Sequence, residues 1–208
     1  MTKGSSRRTP PKSASGPAPT GPATGWSLRI RALHWVSALA VALQLSIGFL
    51  LPGGATMMTT PGLAVHLSLG LTILGLTFAR LFCRLRDLAP HRIGPRIVER
   101  AAGFGHFSLY ALLILVPLTG WLGYRPAPFQ TPPHLFGALP MPVVAGLNPI
   151  ALRTMLTIHS LASWVLLALI GLHLAAALLH AFVLKDGVLR GMVRGDWPRQ
   201  RTASAVRR

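Results

Sequence analysis

Four stretches of this chain are long and apolar enough to cross a membrane, and each carries at least one histidine. The stretches run over about residues 33–51, 62–79, 105–122 and 156–183, close to the roughly 20 apolar residues that a hydrocarbon core about 30 Å thick requires. An imidazole inside such a segment is costly unless something pairs with it, so intramembrane histidines mark candidate functional sites. His34, His66, His159 and His173 are the four of most interest. His159 and His173 stand fourteen residues apart on one segment, nearly four turns, which puts them on one face at depths about 21 Å apart.

Charge distribution supports the same reading. Of the 208 residues 51% are hydrophobic and only 12% charged, about half the charged share of a soluble domain. The formal charge of +17 would suit a nucleic-acid binder, but the basic residues cluster just outside the apolar segments, so nucleic acid is excluded as a partner. The tail through Arg31 holds six cations, the connection from Arg80 to Arg100 six, and the tail from Lys185 seven; the two opposite connections hold only Arg125 and Arg153. The expected fold is an all-α membrane protein, a four-transmembrane-helix bundle with both termini cytoplasmic. Residues 1–27 read as a disordered basic tail able to touch anionic membrane lipid, residues 28–192 as the bundle, and residues 193–208 as a basic C-terminal tail. The first span is too long for a cleaved signal core and is expected to stay. The connection from Tyr124 to Arg153 has seven prolines and His134, and reads as an irregular cap over the outer mouth.

Topology assigns depths. His66 and His159 each lie about one turn in from the outside and share a level, whereas His34 lies near the inner end of the first span and pairs with a deeper residue of the fourth. His173 fits that role, and His180, two turns further along, remains open on spacing alone. His106, near the inner start of the third span, is a further candidate ligand or a histidine reaching for the interface. His91 and His134 read as solvated.

Paired imidazoles favour haem over a bare metal. Zinc or copper would want three or four convergent ligands with carboxylate or thiolate help, and the spans hold no Asp or Glu. Haem brings four equatorial nitrogens, needs two axial imidazoles, and fits an apolar slot between helices. Gly48, Gly70, Gly75 and Gly171 could open that slot or serve close helix packing. Cys83 is the single cysteine and reads as a small apolar filler, so covalent Cys-x-x-Cys-His attachment is impossible and the haem would be b-type. Arg29, Arg31 and Arg153 sit where propionates could emerge, or anchor the topology.

The motifs SLRIRALHW, VHLSLGLTILGLTFARLFCRL, GHFSLYALLILVPLTGW and TIHSLASWVLLALIGLHLAAALLHAFVLKDGVLRGM together resemble the prokaryotic cytochrome b561 family, which is similar to the cytochrome b subunits of some formate dehydrogenases and hydrogenases. The resemblance covers about residues 28 to 192. It implies a multi-pass protein of the bacterial inner (plasma) membrane with two b-type haems: His34 and His173 on the cytoplasmic-side haem, His66 and His159 on the periplasmic-side haem. It also implies electron exchange with ubiquinone or menaquinone, hence an oxidoreductase, and His106 or His180 would then be available to move the proton that quinone chemistry needs. The donor is expected to be a small molecule such as superoxide or a protein partner. The alternatives are a cytochrome b membrane subunit of a larger dehydrogenase or hydrogenase, and a non-redox metal transporter.

Overall fold

The computed structural model describes residues 26–50, 61–87, 96–126 and 133–195. The basic tails, His91 and the connection after the first helix lie wholly or largely outside the described residues. Helix α1 spans Leu28–Leu50, α2 Pro61–Arg86, α3 Arg96–Gly123 and α4 Pro149–Leu179. A π-helical turn, His180–Leu184, continues α4, and a short α5 spans Val188–Val193. Between α3 and α4 lies a two-stranded antiparallel hairpin, β1 (His134–Leu135) and β2 (Leu139–Pro140), with His134 opposite Pro140.

Among the described residues four helices are long and apolar enough to span a bilayer. Their apolar side chains face outward rather than into a core: Leu39, Phe78, Phe107 and Leu172 are all exposed. A soluble protein would bury such residues, and lipid is the environment that makes their exposure favourable. Several hydroxyls on the spans bond back to their own helix, as in Ser68 Oγ to the Ala64 carbonyl (2.7 Å) and Thr77 Oγ1 to the Ile73 carbonyl (2.7 Å), which spares those donors an open bond toward hydrocarbon.

Helices α3 and α4 pack most intimately, α1 packs on α2, and α2 meets α3 along a shorter seam. The helices reach beyond the apolar windows read from sequence, α3 and α4 at their starts among them. Helix α3 begins at Arg96 because Glu99 and Arg100 are good helix formers that can stand in water. Helix α4 begins at Pro149, where Asn148 Oδ1 accepts the Ala151 N–H (2.8 Å) and proline suits the first helical position. Pro117 lies inside α3 without ending it.

The inner end is tied by polar contacts. Ser27 Oγ accepts the Ile30 N–H at the start of α1 and donates to the Asp87 carboxylate just past α2, with Arg29 3.7 Å from the same carboxylate. Helix α5 docks on α1. Arg31 donates to the Met192 and Val193 carbonyls and Trp35 Nε1 to that of Met192 (3.2 Å), satisfying acceptors that a helix C-terminus leaves open.

Candidate haem-binding site

Each helix turns one stripe inward. On α2 the stripe is His66, Gly70, Ile73, Thr77, Arg80 and Arg84, at the i+3 and i+4 spacing of a single helical face, with Gly70, Ile73 and Thr77 buried. On α4 it runs His159, Ala162, Leu166, Ile170 and His173, with Ala162 and Leu166 buried. The α1 stripe includes His34, Ser37, Val41 and Gly48, and that of α3 includes His106, Tyr110, Leu113, Pro117 and Gly120.

These stripes bring the expected histidines together in pairs. The ring centroids of His66 and His159 are 6.1 Å apart, and those of His34 and His173 are 6.4 Å apart. His106 comes to 5.7 Å from His173, so the inner level holds three imidazoles, not two. His180 points elsewhere, with its Nδ1 on the Asp186 carboxylate beyond the π turn.

The outer pair has the more complete surroundings. His159 Nδ1 is 2.8 Å from the Val116 carbonyl on α3. Facing a carbonyl, that nitrogen must carry the proton, so Nε2 keeps its lone pair for a metal. A Cβ at Gly120 would stand 2.8 Å from His159 Nδ1, and one at Gly123 would stand 2.9 Å from the Leu156 side chain. Both glycines let α3 and α4 close up. On the opposite helix Gln44 Nε2 donates to the His66 carbonyl (3.0 Å), with Gly70 making room for the amide, and a Cβ at Gly48 would stand 3.5 Å from the His66 ring. A cavity of about 480 Å³ lies among His66, His159, Gly48, Gly70, Gly120 and Leu166. Tyr124 and Arg125 line its rim, and burial pushes the Tyr124 phenol above its ordinary pKa, keeping it neutral.

At the inner level Arg80 lies with its guanidinium 5.5 Å from the Tyr110 ring centre, and Arg84 sits between the rings of Tyr110 (5.9 Å) and Trp26 (5.7 Å). Arg80 Nε, Tyr110 Oη and His34 Nδ1 are buried without a hydrogen-bond partner among the described residues. Sequence reasoning counts Arg80 only among the cations of the connection that follows the second span. Its place on the His66 stripe was the signal that could have found it. Arg29, Arg31 and Arg153 are engaged or placed elsewhere: Arg29 beside Asp87, Arg31 on the end of α5, and Arg153 exposed on α4.

These residues fit haem. An iron about 2 Å from each of two imidazole nitrogens sets their ring centres on the order of 6 Å apart, the separation of both pairs. Buried groups without partners, His66 Nδ1 among them, cost about 1–3 kcal/mol each unless something beyond the protein satisfies them. Among the described residues no three His, Cys, Asp or Glu side chains converge as a metal cage would need. Gly75 and Gly171 meet nothing within 4 Å through a Cβ, so helix packing does not require them.

Comparison with known proteins agrees with this chemistry. A family model described as prokaryotic cytochrome b561 matches residues 25–195. A probable superoxide oxidase CybB from Yersinia pestis is 30% identical over 175 residues, covering 77% of this chain and 91% of the relative. Cytochrome b561 homolog 1 from Escherichia coli (strain K12) is 26% identical over 179 residues, covering 77% and 92%.

Proposed function

This chain belongs to the prokaryotic cytochrome b561 family of inner-membrane b-type haem electron-transfer proteins, and on that premise we propose that it links an outer electron donor to the quinone pool through two haems. The observation that carries the reading is the pair of histidine pairs, at 6.1 and 6.4 Å, set at two depths of one bundle. In this reading His66 and His159 would hold the outer haem, and His34 and His173 the inner one. Both termini are cytoplasmic, following the nineteen cations on that side against two on the other.

Haem, when bound, supplies one-electron redox chemistry at each level. The chain's own residues set the conditions. The Val116 carbonyl holds the proton of His159 on Nδ1 and makes the ring a better donor. Gly120 lets that ring reach its place, and Gln44 braces α1 on the His66 turn. Arg80 and Arg84, with the Tyr110 hydroxyl, are the groups that would hold the inner propionates, and their positive charge favours the reduced inner level. His106, beside His173 but outside both pairs, is placed to carry a proton for quinone reduction.

Superoxide is the donor best suited to this protein. One relative bears the name probable superoxide oxidase, and the short external segments offer little surface for a protein partner, which needs about 800 Å² per side. Two superoxide ions give up one electron each and leave as dioxygen, while one quinone takes up two electrons and two protons. The test is purified protein in lipid nanodiscs with superoxide as the sole reductant and a quinone as acceptor. Quinol formation with about two haems per chain supports the reading. Less than one haem per chain removes its basis. Two haems that superoxide leaves oxidised point instead to the membrane subunit of a larger dehydrogenase.

A further inference from the structure

We infer that the hairpin of residues 133–142, between α3 and α4, is re-entrant and immersed in the acyl chains of the leaflet on the His66 side, and is not a cap in water. The first observation is depth. The Phe136 N–H donates to Ser68 Oγ at 2.9 Å. Ser68 is seven residues past Pro61, about 10 Å down α2 from its outer end and two residues deeper than His66. A hairpin tip bonded there lies inside a hydrocarbon slab about 30 Å thick.

The second observation is chemistry. Between Arg125 and Arg153 the chain has no charged residue. Leu135 and Met141 are buried with Tyr124 against Leu63, Leu67, Leu71 and Trp121, filling the side where α2 and α3 share only a short seam. Phe136 (70% exposed) and Leu139 (63%) face outward, as Val65 on α2 and Leu115 on α3 do. Large apolar groups turned outward at that depth meet acyl chains.

The third observation is the backbone, which in lipid must be satisfied internally. Pro133, Pro140 and Pro142 have no N–H to satisfy. The Gly137 N–H donates to the His134 carbonyl (3.3 Å), Ala138 to Leu135 (3.1 Å) and Met141 to Pro133 (3.0 Å), and Trp121 Nε1 covers the Pro142 carbonyl (2.8 Å). Phe136 has φ of 52°, a conformation unfavourable for a bulky residue and held here by the bond to Ser68. His134, exposed beside Pro140 at the base of the hairpin, is left to reach toward the interface. This flank therefore presents acyl-chain contacts and no water-facing docking surface.

The experiment uses the full chain in lipid nanodiscs, with Cys83→Ser as background and nitroxide labels on Phe136→Cys and Leu139→Cys. Leu39→Cys on α1 serves as the lipid reference and Ile97→Cys at the polar end of α3 as the water reference. Labels at 136 and 139 that collide with oxygen as the Leu39 label does, and are as shielded from a water-soluble nickel chelate, support the immersed hairpin. Nickel accessibility matching the Ile97 label overturns it, as does dipolar broadening between labels on two chains, which would mean a second copy covers the face. Unsubstituted protein in lipid with a mid-chain diazirine gives an independent reading. Adducts on residues 133–142 support immersion, and their absence while Val65 and Leu115 are labelled overturns it.

Discussion

His159 Nδ1 lies 2.8 Å from the carbonyl oxygen of Val116, across the closest helix interface of the bundle. The contact exists because Gly120, one turn further along α3, has no side chain where the imidazole passes. A backbone carbonyl thereby sets which nitrogen of a membrane-buried histidine is free.

Gly120→Ala should therefore cost the outer haem. Alanine is the better helix former by about 1 kcal/mol, so helix propensity alone would favour the change. The new methyl would stand 2.8 Å from the ring and push it off its partner. A pyridine haemochrome assay should fall from about two haems per chain toward one. Unchanged stoichiometry and spectrum would show that the ring is not held there.

His66→Ala and His173→Ala should each remove a different component from a redox titration followed at the reduced α-band. His106→Ala should retain both components, since His34 is the partner assigned to His173. Loss of the inner component in His106→Ala but not in His34→Ala would reassign the ligand to the ring at 5.7 Å.

Arg80→Gln should lower the inner midpoint potential and leave the outer one in place. A unit charge within about 10 Å is worth about 1–2 kcal/mol at an effective dielectric near 20. For a one-electron couple that is on the order of 40–90 mV. Arg80→Lys should recover part of the shift, keeping the charge but losing the fork of donors.

Arg31→Ala should free α5 without touching either histidine pair. The Met192 and Val193 carbonyls would lose the Arg31 guanidinium, and Trp35 alone would remain on Met192. A loss of about 1 kcal/mol fits a net hydrogen bond of this kind. Amide hydrogen exchange over residues 188–193 should quicken several-fold while exchange in α1 to α4 stays as it was. Equal acceleration across the bundle would mean that Arg31 supports the whole inner end.

Much of the site is legible along the chain, because each helix repeats its inward face every three or four residues. His66, Gly70, Ile73 and Thr77 announce that face, and Arg80 and Arg84 continue it, although their charges invite reading them as stop signals only. Gly120 is visible as a glycine in a span, but which ring it would crowd belongs to another helix. The connection after α3 shows its prolines and lack of charge, yet its immersion beside Ser68 depends on a hydrogen bond formed 68 residues apart.

Hydropathy and histidine spacing alone settle the number of spans and the levels of their imidazoles, because a helix converts sequence position into distance along its axis. They cannot settle which ring faces which, because that depends on how each helix is rotated and how closely it approaches its neighbour. Packing between α3 and α4 aimed His159 at the Val116 carbonyl and brought His106 beside His173, while the π turn after α4 set His180 against Asp186. Those choices are angular, and only the assembled bundle makes them.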